Sequence, residues 1–131
     1  MIVADTNVIA YLFISGDQSD QAKKLIKMDP DWIAPVLWKS EFRNVLALYM
    51  RKGFLSYENS ILLLNEVESF MKEHEFDVNS NDVMKLVSNS NCSAYDCEYV
   101  ALAQSLNLKL YTSDKKLIEE FPDTVVSLKS V

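Results

Sequence analysis

Four carboxylates stand at positions that solvation alone does not explain: Asp5, Glu41, Asp96 and Asp114. Asp5 closes the run Val3-Ala4-Asp5-Thr6-Asn7, and Asp114 closes Leu110-Tyr111-Thr112-Ser113-Asp114. Each stands where a short apolar segment gives way to a helical one, a place where Asp serves as an ordinary N-cap and where Ser113 could cap as well. Glu41 is the least ordinary of the four. Laid out at 100° per residue from Leu37, Leu48, Val45, Tyr49, Phe42 and Trp38 fall between about 20° and 140°, and Glu41 falls inside that arc at about 40°. A carboxylate on such a stripe needs a metal, a cation or a dense set of hydrogen bonds, because burying it alone costs several kcal/mol. An edge position or a lysine partner would answer the same demand. Asp96 lies in the first turn of a helix that Ser93 can cap, and Ser93-Ala94-Tyr95-Asp96 also reads as a weak capping box. The same layout sets Asp96 on the flank of a Tyr95/Tyr99/Leu102/Leu106 face, near a helix N-terminus that favours its charge. Two carboxylates at strand ends and two facing inward from helices make an oxygen cage for a hard divalent cation.

The scarce residues remove the competing chemistries. Two glycines, Gly16 and Gly53, are too few and too far apart for a phosphate-cradling loop or a dinucleotide turn. One histidine, His74, and two cysteines, Cys92 and Cys97, build neither a three-histidine zinc site nor a zinc finger. A serine triad would have to use His74 and lacks a GxSxG elbow. Chemistry in this chain therefore falls mostly to carboxylates.

The 131 residues carry 19 acidic and 13 basic side chains, for a formal charge of -6, and 49% of them are hydrophobic. That length and composition suit one globular domain with a real core. No signal peptide or membrane-spanning run is read near the N-terminus, and two cysteines five apart fit reduced thiols, so the cytoplasm is the expected compartment. Short apolar or β-branched runs at 2–4, 32–34, 76–78, 108–111 and 124–126 predict strands. Between them, helical periodicity covers about 7–13, 18–28, 36–52, 57–74, 81–88, 94–106 and 114–120. Such alternation predicts an α/β fold with a mostly parallel sheet, helices on both faces, and a ligand site beyond the carboxyl ends of the strands.

The motifs also resemble those of a known family. Asp5-Thr6-Asn7 is similar to the opening motif of PIN-domain proteins, especially the VapC-type toxins of toxin-antitoxin pairs. Ser40-Glu41-Phe42 resembles their central acidic position, the stretch from Ser93-Ala94-Tyr95-Asp96 through Ala101-Leu102-Ala103 their third acidic motif, and Thr112-Ser113-Asp114-Lys115-Lys116-Leu117 their final T-x-D motif. The resemblance covers essentially the whole chain in order. It implies a three-layer α/β/α fold with a five-stranded parallel sheet of order 3-2-1-4-5. It implies a Mg2+ or Mn2+ site that cleaves RNA, a homodimer, and an antitoxin that covers the site. Asp5, Asp96 and Asp114 would be direct or water-mediated ligands, with Glu41 holding waters or positioning the nucleophile. Asn7, Thr112 and Ser113 would support them, although turn or capping duties account for each equally well.

This chain also departs from the family pattern. Cys97 and Glu98 follow Asp96 where small apolar residues are commoner, and Glu98, about 160° from Asp96 around the helix, is expected in solvent. Lys115 and Lys116 replace a further acid found in some relatives, which leaves one or two metals open, and they adjoin Asp114 where they could meet RNA phosphate. Lys23/Lys24/Lys27, Lys39/Arg43 and Arg51/Lys52 read as solvated faces. His74 reads as packed or end-capping, and Trp32, Trp38, Tyr95 and Tyr99 read as packing. Two other readings compete: a catalytically silent module of this fold that binds RNA or protein, and another acidic Mg2+-dependent phosphoesterase. An aspartyl-phosphate phosphatase would want a D-x-D pair after the first strand, and Asn7 fills the second place here.

Overall fold

The computed structural model describes residues 1–131. Five short parallel strands form one sheet in the order β3-β2-β1-β4-β5: β1 (Ile2–Ala4), β2 (Trp32–Pro35), β3 (Glu75–Phe76), β4 (Leu110–Thr112) and β5 (Val125–Ser127). The central strand β1 pairs Ile2 with Trp32 on one side and Val3 with Leu110 on the other. Every residue of β1 and β2 is buried, as parallel strands covered on both faces must be.

The helices are α1 (Thr6–Phe13), α2 (Ser19–Met28), α3 (Trp38–Arg51), α4 (Tyr57–Met71), α5 (Ser80–Ser88), α6 (Ala94–Ser105) and α7 (Lys115–Glu120), with a closing 3-10 turn at Leu128–Ser130. Parallel crossovers are right-handed, so the chain's direction across the sheet decides the covered face. From β1 to β2 to β3 the chain moves one way and lays down α1 to α4. It then crosses back to β4 and β5 by way of α5, α6 and α7, which cover the opposite face. The reversal puts a switch point between β1 and β4, and a crevice opens beyond the carboxyl ends of strands at such a point. Asp5 and Asp114 follow those two strands.

Local chemistry starts the helices where the sequence indicates. Asp5, Ser56, Asn79, Ser93 and Asp114 each accept a backbone N–H as side-chain caps of α1, α4, α5, α6 and α7. The core gathers Trp32, Trp38, Phe42 and Tyr99, each at most 1% exposed. Burial of such side chains contributes about 1.5–3 kcal/mol each for Phe-sized groups. No helix is long and apolar enough to cross a membrane.

Most boundaries shift by one or two residues from the sequence reading, β5 among them at 125–127 rather than 124–126, and three differences have a local structural cause. The helical pattern predicted to reach residue 74 stops at Met71, because the chain turns through Glu73 in the left-handed region (φ 67°) to enter β3. His74 sits in that turn, its Nδ1 within 2.9 Å of the Lys72 carbonyl and its Nε2 3.3 Å from Asp31. β3 is Glu75–Phe76 rather than 76–78, a two-residue edge strand whose pairing ends at Pro35. β4 begins at Leu110 rather than 108, after Asn107 takes a left-handed conformation (φ 55°) and turns the chain out of α6.

Candidate active site

All four acids line one open cleft of about 520 Å³, together with Thr6, Asn7, Leu37, Ser40, Asn44, Val45 and Tyr95. They reach it from four elements: the end of β1, the first turn of α3, the first turn of α6 and the cap of α7.

Asp5 is the most deeply set, only 7% exposed. Its Oδ1 accepts the Thr6 N–H at 2.8 Å and its Oδ2 accepts the Thr112 hydroxyl at 2.6 Å. Burial pushes its pKa up to about 7, and the nearby charges of Glu41 and Asp96 push the same way against those two hydrogen bonds. Thr112 is fully buried beneath the cleft, and its Oγ1 also accepts the Asp114 N–H at 3.1 Å, so one hydroxyl ties the two strand-end acids together. Asp114 Oδ1 caps α7 at Lys116 N, 2.9 Å away.

Glu41 hangs from a second small network. The Tyr99 hydroxyl donates to Glu41 Oε1 at 2.7 Å, and the Thr6 hydroxyl lies 3.0 Å from the same oxygen and 2.5 Å from Tyr99 Oη. Glu41 Oε2 is left without a protein partner. Burial, followed by the charges of Asp5 and Glu41, drives the Tyr99 phenol far above its ordinary range, so Tyr99 stays a donor. Burial and the Asp114 charge raise Asp96, opposed by Ser93 and the Lys116 ammonium. Ser93 Oγ accepts the Asp96 N–H at 3.1 Å, but the reciprocal bond of a full capping box is not made.

The remaining expected residues separate. Asn7 lines the cleft, and its Oδ1 is buried with no protein partner. Thr112 supports the acids from below, whereas Ser113 does not line the cleft. Lys115 and Lys116 are exposed at its margin, and of the two only the Lys116 charge is felt at Asp96.

Three sequence expectations need correction. On α3 the buried residues are Trp38, Phe42 and Leu46, while Leu48 is 50% exposed, so the apolar stripe is centred nearer 140° and Glu41 sits on its flank rather than within it. On α6 burial extends around most of the helix, from Cys97 through Ala103, while Tyr95 and Leu106 face outward. Glu98 is half-buried instead of solvated, and burial raises its pKa, with the Glu41 charge adding to the effect.

The donor set fits a hard divalent cation. It is all oxygen and mutually repelling, and it includes a carboxylate whose ionisation is suppressed in the bare protein, beside a buried amide oxygen with no partner. No three of the acids converge closely enough to grip an ion directly. An ion bound there would therefore have to keep several of its waters and reach some of its protein ligands through them.

A PIN domain family model matches residues 2–122. The chain belongs to the PIN domain family. It is 30% identical over 127 residues to Ribonuclease VapC3 of Pyrobaculum aerophilum, covering 95% of this chain and 97% of that protein. Its fold is similar to that of FitAcB from Neisseria gonorrhoeae, with a TM-score of 0.79 at 16% identity over 100% of both chains. A toxin-antitoxin complex from Klebsiella pneumoniae gives a TM-score of 0.66 at 18% identity over 98% of both chains. A Pyrobaculum aerophilum protein gives 0.77 at 20% identity, covering 98% of this chain and 91% of that one.

Two residues of this PIN domain that the sequence reading did not assign to the site hold it in shape: Thr6 and Tyr99. The signal for Tyr99 lay in its spacing, three residues beyond Asp96 on one helix, and in the need of any buried tyrosine hydroxyl for a partner.

Proposed function

We propose that this chain is a Mg2+- or Mn2+-dependent endoribonuclease and the toxin of a toxin-antitoxin pair. The observation that carries this reading is the convergence of Asp5, Glu41, Asp96 and Asp114 on one cleft at the sheet's switch point. The likeness to a ribonuclease along nearly the whole chain supports RNA as the substrate.

Asp5, Asp96 and Asp114 would hold the cation partly through its own waters, and Glu41 would reach it through water as well. A bound cation would supply charge neutralisation and Lewis acidity at the phosphate. The protein's own part is positioning. Thr112 and the Thr6 N–H fix both oxygens of Asp5, and α7 fixes Asp114. Tyr99 and Thr6 hold Glu41 Oε1, so Oε2 is the atom free to orient the attacking water and take its proton. The fully buried Trp38 and Phe42 anchor α3 beneath Glu41 and keep its approach fixed.

A partner surface is available apart from the cleft. Leu46, Met50, Tyr57, Ile61 and Leu64 line an apolar groove of about 240 Å³ between α3 and α4, and Tyr57 is 65% exposed there. Exposed apolar area of this kind supports a homodimer or an antitoxin contact. The deciding experiment is cleavage of single-stranded RNA with Mg2+, Mn2+ or EDTA, comparing the wild type with Asp96→Asn. Metal-dependent cleavage lost in a folded variant is the expected result. Undiminished cleavage by that variant, or activity on small phosphoesters alone, refutes the assignment.

A further inference from the structure

Tyr95 lines the acidic cleft but holds none of its acids. The helical layout of α6 predicts it packed beside Tyr99, yet it is 63% exposed and stands outside both the core and the half-buried side chains packed against it. Phe54 and Tyr57 are exposed to a similar degree, but of the three only Tyr95 lines the cleft, and it is the one aromatic side chain there. A large ring turned to solvent contributes little to folding, and its area is free to be covered by what the cleft receives.

The other lining residues narrow that occupant. Four acids face the cleft and no lysine, arginine or histidine does. A cation among the acids would balance part of their charge, but the lining adds none of the side-chain pairing with phosphate that supplies much of nucleic-acid affinity in general. The cleft's hold on an RNA strand must then come from the strand's uncharged parts. Leu37, Glu41 and Val45 succeed one another every fourth residue at the α3 wall, which puts apolar surface about 6 Å to either side of the acid along the helix. Ser40 and Asn44 add neutral hydrogen-bonding groups next to them. Tyr95 belongs to the other helix, α6, one residue before Asp96, so a strand whose phosphate sits at Asp96 brings an adjoining base within reach of the ring.

We infer that Tyr95 is the stacking platform for a base next to the cleaved phosphodiester, and that the cleft therefore takes unpaired RNA, whose bases can be splayed onto the ring. The inference rests on the nuclease reading for what is cleaved. Stacking tolerates sequence because every base offers a π-face, so the platform positions the strand without choosing a base. A paired base keeps its faces within its own duplex and cannot use it.

Two measurements on the full-length protein test this. In the first, each of the four nucleoside 5′-monophosphates is titrated in the presence of Mg2+ while the Tyr95 ring protons, assigned by difference from Tyr95→Leu, are followed by NMR. None of these probes has a phosphodiester to cut. An upfield ring-current shift with all four, and none with ribose 5-phosphate, is expected. No shift, or an equal shift with ribose 5-phosphate, overturns the inference. In the second, single-stranded RNA and its duplex are cleaved by the wild type, Tyr95→Phe and Tyr95→Leu. Tyr95→Leu should lower kcat/KM on the single strand about five- to a hundredfold, mostly through KM, whereas Tyr95→Phe retains it. An RNA lacking one base beside the cut should lose as much with the wild type and nothing further with Tyr95→Leu. Undiminished cleavage by a Tyr95→Leu protein that unfolds in urea like the wild type, additive losses, or equal cleavage of the duplex overturns the platform, and dependence on Asp96 in the same assay leaves the nuclease standing. A base-dependent Tyr95 shift in a protein that cleaves no RNA supports the platform and overturns the nuclease reading instead.

Discussion

Asp5 gives the sharpest test of how the site is built, because its burial couples folding to pH. Its pKa rises from 3.8 to about 7 in the folded protein, chiefly through desolvation. A carboxyl whose folded pKa exceeds its unfolded one binds its proton more tightly when folded. Stability from this group is therefore fully present below pH 3.8, declines as the pH climbs from 3.8 to about 7, and is gone above that. The rise is about three units, which at about 1.4 kcal/mol per unit amounts to about 4 kcal/mol. Against a domain stability of about 5–15 kcal/mol, that is a large fraction.

The perturbation is Asp5→Asn. The amide keeps an oxygen for the Thr6 N–H and turns a donor toward Thr112 Oγ1, which accepts where it formerly donated, so the contact survives at a cost of about 1 kcal/mol for the displaced hydroxyl proton while the buried charge does not. Urea unfolding in EDTA at a series of pH values from 4 to 8 measures the difference between the two proteins, and groups common to both cancel. The variant should match the wild type to about 1 kcal/mol at pH 4 and exceed it by about 3–4 kcal/mol at pH 8. Mg2+ should close part of that gap by stabilising the wild type alone, by about 2.7 kcal/mol at a hundredfold excess over Kd. A pH-independent difference, or a variant less stable than the wild type at pH 8, refutes the reasoning.

Two further outcomes follow from the same geometry. Tyr99→Phe removes the hydroxyl bonded to Glu41 while Thr6 remains in place, so stability should fall by about 1–2 kcal/mol. The cleavage rate should fall more than KM rises, and the loss should be non-additive with Glu41→Gln in a double-mutant cycle; additive losses would mean that Tyr99 does not act through Glu41. Neutralising Lys115 and Lys116 to Gln should flatten the slope of log affinity for single-stranded RNA against log salt by about 1.4 if both meet phosphate, at about 0.7 per contact, and an unchanged slope removes them from the interface.

The fold was legible because strand and helix runs alternate cleanly and the caps Asp5, Ser93 and Asp114 mark the starts of α1, α6 and α7, whereas α2 and α3 start with no side-chain cap to mark them. What the sequence could not show was set by connections. The helical reading of α4 runs on through Lys72, Glu73 and His74, but the turn at Glu73 is imposed by the need to reach the sheet edge beside β2, a tertiary demand that periodicity does not carry. The stripe on α3 was misplaced for a related reason. Leu48 satisfies the helical pattern yet points away from the sheet, and only the packing of Leu46 against the core decides which edge of the stripe is buried.

The site itself posed a different difficulty, since each strand-end or helix-end acid could be explained as a cap. The structure removes the opposition between cap and ligand. Asp114 spends Oδ1 on Lys116 N and keeps Oδ2; Glu41 spends Oε1 on Tyr99 and Thr6 and keeps Oε2. Asp5 uses both oxygens, but a carboxylate oxygen accepts more than one donor, so each retains acceptor capacity towards the cleft. The cap is what aims the acid: a side chain already fixed at one oxygen loses little further freedom when the other takes a ligand. On the proposed reading, an acid in this arrangement contributes to folding through hydrogen bonds that an amide can largely reproduce, and would contribute to chemistry through a charge that an amide cannot. Isosteric Asp→Asn and Glu→Gln changes in this cleft therefore separate the two contributions, whereas truncation to Ala would remove both together.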